Sequence, residues 1–315
     1  MKTIFRTAVA AVGMAVMASG AIAADWTPPG PIKMIIAFRA GGGADTQARL
    51  IAEELEARHG WKIIPEQVTG KGGLNAVKAL TGEAADGSAV AMIVTESLGY
   101  NMRAANAGSP TDVTPLTTTA GSQMAVVALA SKGYKTLGDV IEAAKGGEAI
   151  RFGAMSPALA DLAYIIAKEN GIEFNIVSVK GGKAIMNGLT AGDIDVGFGA
   201  GIQAKAVAAG EMVELASAKS VPLQNSPDAP LLSEYGVKFY NDAMFMLAGP
   251  KDMDPAAREA ITAAIQEIVN DPNSKANEFI SRAFGGVVTI SGADLETMVA
   301  DGYTAADELL AASSE

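Results

Sequence analysis

The sequence predicts an α/β protein with largely parallel sheets, divided into two domains. Strand and helix signals alternate from Ala24 onward over short connections. Two junctions of strand, glycine loop and helix lie far apart, at 32–45 and 174–191. Removal of a leader at 1–23 leaves 292 of the 315 residues, a length better suited to two domains than to one.

The first strand is the apolar run Ile32-Lys33-Met34-Ile35-Ile36-Ala37, which passes through Phe38-Arg39-Ala40-Gly41-Gly42-Gly43 into a helical pattern over 44–58. Gly60 stops that helix, because a left-handed residue suits a helix end. A strand over 62–66, a loop over 67–72, a helix over 73–81, the turn Ala85-Asp86-Gly87 and a strand over 88–94 follow. A strand over 124–130 precedes a helix opened by Thr136-Leu137-Gly138-Asp139, which resembles a capping box. Then come strand 149–152, helix 158–170, strand 174–179, helix 184–191, strand 194–198, helix 202–209 and strand 212–217. Gly171, Gly192 and Gly210 fall just past helix ends.

A proline-rich connection over 221–230 leads to a short helix over 231–235 and a strand over 244–248, whose Met244 and Met246 read as core filler. The tail is helical. Asp254-Pro255 and Asp271-Pro272 each place a cap before a first-turn proline, and Ser291-Gly292-Ala293-Asp294 opens a last helix ending with 295–312. Chain crossings near 120–126 and 241–247 would join 24–122 with 245–315 as domain 1 and leave 123–244 as domain 2.

The two glycine loops carry the functional signal. Glycines let backbone N–H groups approach a ligand, and a helix start adds partial positive charge, so such a junction favours an anion. Lys180-Gly181-Gly182-Lys183, after strand 174–179, repeats the design of Gly41-Gly42-Gly43. Either loop alone reads equally as a plain turn. Together they suggest two domains gripping one small acid. Neither matches a nucleotide fingerprint, and no Gly-Lys-Ser/Thr occurs in the chain.

Lys2 and Arg6 precede an apolar stretch over 7–17, and Ala21-Ile22-Ala23 fits a signal-peptidase site, which predicts export to the periplasm with cleavage after Ala23. The apolar stretch is shorter than the roughly 20 residues of a membrane anchor. The processed chain has 22 basic and 35 acidic side chains, a net charge of −13, which disfavours nucleic acid and anionic membranes as partners. With no cysteine there is no disulfide, thiol nucleophile or thiolate metal site. His59, the single histidine, stands just before Gly60, where a cation suits a helix C-terminus. No catalytic residue, cofactor or metal is predicted, and a monomer is expected.

Several segments carry a family resemblance. The run from Pro31 to Asp45, then Gly70-Lys71-Gly72-Gly73, Ala85-Asp86-Gly87, Val179-Lys180-Gly181-Gly182, Ala191-Gly192-Asp193-Ile194-Asp195-Val196 and the stretch 217–236 resemble, in this order, the solute-binding proteins of tripartite tricarboxylate transporters, the Bug family. The resemblance implies a bilobed periplasmic binding protein-like fold, or Venus flytrap, with a two-crossing hinge. It also implies a carboxylate held by backbone groups of both lobes and delivered to membrane permease subunits. Matched motif by motif, it implies contacts from Phe38, Ala40, Gly41, Gly42 and Asp45, from Gly72 and Gly73, from Thr95, Glu96 and Ser97, and from Ser156, Lys180, Gly181 and Gly182. The chain departs from the family pattern at Arg39, at Val179, at Ala243 and in Gly153-Ala154-Met155-Ser156-Pro157.

Arg39 beside the first loop suggests a guanidinium that pairs a second carboxylate of the ligand, against the alternative of a solvated arginine at the strand end. Asp45 reads equally as a ligand contact or as a first-turn acid that steadies the helix. Asp193 and Asp195 flank a strand start with no histidine partner. Two functions from different classes follow. One is an extracytoplasmic solute-binding protein that closes on a small organic acid. The other is an exported isomerase or hydrolase acting on a carboxylate, for which no nucleophile–base or metal-ligand set can be assembled.

Overall fold

A computed structural model describes residues 26–314; the leader predicted at 1–23 and its cleavage site lie outside the described residues. The chain begins with β1 (Ile32–Ile36), α1 (Gly43–His59), β2 (Ile63–Gln67), α2 (Leu74–Leu80), β3 (Ala89–Val94), α3 (Thr95–Leu98), α4 (Tyr100–Ala104) and β4 (Val113–Gly121). It then crosses to β5 (Ala125–Leu129), α5 (Leu137–Lys145), β6 (Arg151–Ala154), α6 (Pro157–Glu169), β7 (Asn175–Ser178), α7 (Gly182–Ala191), β8 (Val196–Gly199), α8 (Ala204–Ala208) and β9 (Met212–Ser217). It returns through β10 (Met244–Pro250) to α9 (Pro255–Asn270), α10 (Lys275–Phe284) and α11 (Gly292–Ser314).

Two five-stranded sheets result, with orders β2-β1-β3-β10-β4 and β7-β6-β8-β5-β9. In each, four strands point the same way, and the fourth in the order, which has just crossed from the other lobe, runs antiparallel to both its neighbours. The sheets are therefore mixed, with one strand of each against the other four. β1 and β3 are apolar almost throughout because helices cover both faces of a central parallel strand. The second lobe repeats this with separate clusters on its two faces.

Several elements differ from expectation. β4 was not foreseen: its sequence, VTPLTTTAG, holds a proline and three threonines. As an edge strand it tolerates Pro115. Its buried threonine hydroxyls donate inward, Thr118 to Val288 O at 2.7 Å and Thr119 to Gln47 Oε1 at 2.6 Å. Asp254 caps α9 with Pro255 in the first turn, whereas Asp271 ends that helix instead of opening the next. Pro272 disfavours helical geometry at the residue before it, and Ser274 caps α10. α11 begins in the first lobe but lays Ala306, Leu309 and Leu310 against Tyr100 and Ala158, at the seam with the second. Leu309 and Ala312 also pack on the second lobe's core.

In each lobe the strand order reverses at one strand, β1 in the first and β6 in the second. Ligands of open α/β sheets sit beyond the carboxyl ends of strands at such a switch point. The loops leaving β1 and β6 face one another across the gap between the lobes.

Candidate functional site

That gap is a cleft walled by both lobes. The first lobe supplies Phe38, Arg39, Gly42, Gly43, Ala44 and Glu96; the second supplies Met155, Ser156, Gly181, Gly182 and Lys183. The lobes stand close together: a Cβ at Gly181 would lie 3.4 Å from Phe38 Cβ.

The local structure of the two loops explains the chemistry. α1 starts after Gly42 and α7 after Gly181, and neither helix has a side-chain cap. The first-turn N–H groups of an α-helix lack intrahelical acceptors. Those of Gly43 and Ala44 in α1, and of Gly182 and Lys183 in α7, belong to residues that line the cleft. Two helix N-termini from opposite lobes thus converge on one space, each contributing partial positive charge. α6 is different. Ser156 caps it through a bond from Leu159 N at 3.3 Å, and Pro157 has no N–H to offer.

The first loop is braced from behind. Asp45 is 3% exposed, and its carboxylate accepts from Gly41 N at 2.9 Å, Arg49 Nε at 2.8 Å and Gln67 Nε2 at 3.2 Å. Gly41 holds a left-handed φ of +72°, which turns its N–H toward that carboxylate. Asp45 is therefore a brace for the loop, and the cleft lining does not include it. Ala40 and Gly41, which are exposed, are likewise outside the cleft lining.

The other expected residues divide by place. Phe38, Arg39, Gly42, Glu96, Ser156, Gly181 and Gly182 line the cleft. Gly72, Gly73 and Lys180 line a small pocket that adjoins it through Phe38, Met155 and Gly181. Ser97 is fully buried and donates to Gly72 O at 2.8 Å, so it shapes that pocket from underneath. Thr95 lines a further cavity reached past Glu96 and Ala243, and its hydroxyl accepts from Met244 N at 3.1 Å. Glu96 sits between cleft and cavity. One of its oxygens accepts from Asn101 Nδ2 at 2.9 Å, the other from Asn241 Nδ2.

Arg39 and Lys183 are exposed at the mouth. The enclosed wall is apolar: Met124, Leu159, Ile202, Phe245 and Phe284 join Phe38 there. Besides Glu96 and Ser156, a further polar residue interrupts it. Ser122, 3% exposed, lines the cleft with a buried Oγ that has no hydrogen-bond partner among the described residues. Sequence reasoning missed these residues. Gly43 and Lys183 stand in the glycine loops without having been assigned as contacts, Ala44 follows the first loop, and Ser122 and Ala243 fall at the expected crossings, so both signals were at hand. Nothing local marks Phe284, which reaches the cleft from the end of α10. His59 lies outside the cleft lining, with Nε2 3.4 Å from Glu267.

Two α/β lobes crossed twice by the chain, with a cleft between opposed helix starts, define a two-lobed solute-binding protein. Residues 47–312 match the family described as the tripartite tricarboxylate transporter family receptor, and the chain belongs to that family. It is similar to the UPF0065 protein in the gbd 5′ region of Cupriavidus necator, 26% identical over 273 residues, covering 84% of this chain and 82% of that one. Among solved structures, R. palustris Rpa4515 with adipate superposes with a TM-score of 0.80 at 19% identity, over 92% of this chain and 99% of that one. The periplasmic binding protein BugD gives 0.79 at 19% identity, over 91% and 99%. The family is one of solute receptors, and the exported-enzyme alternative is set aside.

Proposed function

We propose that the protein captures a small organic carboxylate between its lobes and delivers it to the membrane permease of a tripartite tricarboxylate-type transporter. One observation carries this reading: uncapped N-termini of α1 and α7, from opposite lobes, meet in one enclosed cleft. The carboxylate accepts from the amides of Gly43, Ala44, Gly182 and Lys183, while Phe38 and Gly181 close over it. Each helix-terminal contact with an anion contributes about 0.3–1 kcal/mol, and up to about 2 kcal/mol when partly buried. Several together reach micromolar affinity, about 8 kcal/mol, with charge-assisted hydrogen bonds adding to them. The similar R. palustris protein, with adipate, supports an acid as the class of ligand.

The two lobes, 24–122 with 245–315 and 123–244, move about the crossings at 121–125 and 217–244. The chain works as a periplasmic monomer after cleavage behind Ala23, and no helix among the described residues is long and apolar enough to cross a membrane. A thermal-shift panel of organic acids tests the reading. A ligand at about 100-fold excess over its Kd stabilises by about 2.7 kcal/mol. At least one acid should do so and be recovered unchanged; a panel of mono-, di- and tricarboxylates without effect refutes the reading.

A further inference from the structure

We propose that the acid is a monocarboxylate with an apolar body, aromatic or branched aliphatic, whose carboxylate is held by Ser122 together with the loop amides, and that Glu96 bars a second carboxylate. This rests on the carboxylate reading above and narrows it.

The cleft's cations, Arg39 and Lys183, are exposed at its mouth, so the enclosed part has no positive side chain to meet a second ionised group. The wall instead offers Leu159, Phe245, Phe284 and Met124, all at most 5% exposed, with Ile202 and Phe38 beside them. An ionised carboxylate pressed on such a wall loses its hydration for nothing in return, whereas a ring or branched chain gains from the same contact.

Glu96 adds a repulsive element. Asn101 and Asn241, one amide on each oxygen, fix its carboxylate in the wall, so it cannot swing away from an incoming negative group. Discrimination by an unfavourable contact is as effective as by a favourable one. Ser122 supplies the converse. A buried hydroxyl without a protein partner costs stability unless function uses it, and Ser122 belongs to the lining of the cleft where the helix starts converge. Its proton is free for a ligand oxygen.

Isothermal titration at neutral pH tests the assignment, with benzoate, phenylpropanoate and isocaproate set against malate, adipate, citrate and phenylalanine. An apolar monoacid should bind about tenfold tighter than any polyacid, and phenylpropanoate tighter than phenylalanine. Ser122→Ala should weaken the best monoacid about tenfold without lowering the thermal stability of the unliganded protein. Glu96→Gln should narrow the gap between phenylpropanoate and adipate about fivefold. A polyacid that binds best, or phenylalanine ahead of phenylpropanoate, overturns this inference and leaves the carboxylate reading standing. If no acid binds, both fall.

Discussion

The carboxylate of Asp195, in the second lobe, accepts four hydrogen bonds: from Arg151 N at 3.0 Å, Nε at 2.8 Å and Nη2 at 2.8 Å, and from Lys132 Nζ at 2.7 Å. The Arg151 bonds lead, and outweigh the burial that opposes them, so the carboxyl is held well below the usual range. The Asp193–Asp195 pair is thus no catalytic dyad. Its partners lie 44 and 63 residues away in sequence, and no local pattern could reveal them. Because Arg151 and Lys132 keep 42% and 34% of their side chains exposed, the loss from Asp195→Asn falls below that of a fully buried pair, at about 2 kcal/mol near neutral pH. The sign of the pH dependence follows. A carboxyl with a lowered folded-state pKa stabilises fully above its unfolded value of about 3.9, and the contribution disappears as pH falls further. Urea unfolding should therefore show a constant gap between wild type and variant above about pH 5, shrinking below about pH 4. A gap that stays level into acid would refute the assignment.

At the scale of elements, the strands and the loops that join them to helices were readable, with the exception of the edge strand β4. β1, β3 and β9 announced themselves by composition, because a strand buried on both faces leaves an apolar run between turn signals. The glycine loops were placed correctly at the junctions that meet in the cleft. β4 escaped because its core contacts are made by threonine hydroxyls with distant acceptors, and α3 and α4 because each is only a turn or so long. The apolar wall escaped for a similar reason: Phe245 and Phe284 come from elements that ordinary periodicity assigns to the core. Gly181 offers a test at this scale. It holds φ at +87°, and a Cβ there would meet Phe38 Cβ at 3.4 Å across the cleft. Gly181→Ala should lose about 1–2 kcal/mol to backbone strain, and binding should fall about tenfold because the amides of α7 no longer aim at the acid. Stability and affinity both unchanged would show that this loop needs no glycine and does not shape the site.

For the whole molecule, the question is what keeps the lobes together. The chain crosses twice, and α11 adds a third tie, with Lys168 Nζ 3.4 Å from Ala312 O near its end. Beneath α11 lies a polar contact between the lobes: the hydroxyl of Tyr100, on α4, donates to Asp161 on α6. Burial, reinforced by Asp161, pushes the Tyr100 hydroxyl above its ordinary range, so it remains a donor throughout the physiological interval. Beside it Asn101 Oδ1 accepts from Ala158 N at 3.5 Å, which joins the same two elements. Any rotation that parts α4 from α6 must break these bonds, so they stabilise the apposed arrangement over an opened one. A ligand gripped by both lobes binds with an affinity reduced by the fraction of molecules not yet apposed. A hydrogen bond to a charged group contributes about 1.5–3 kcal/mol, part of which the variant regains through water. Tyr100→Phe, which keeps the ring packed against Ala158 and Ala306, should therefore weaken the best acid about three- to tenfold, mainly through faster release. In solution scattering, the unliganded variant should have a larger radius of gyration than the wild type, and saturating acid should abolish the difference. Equal radii with equal affinity would mean that the seam under α11 takes no part in closure, and that the lobes are held by the cleft alone.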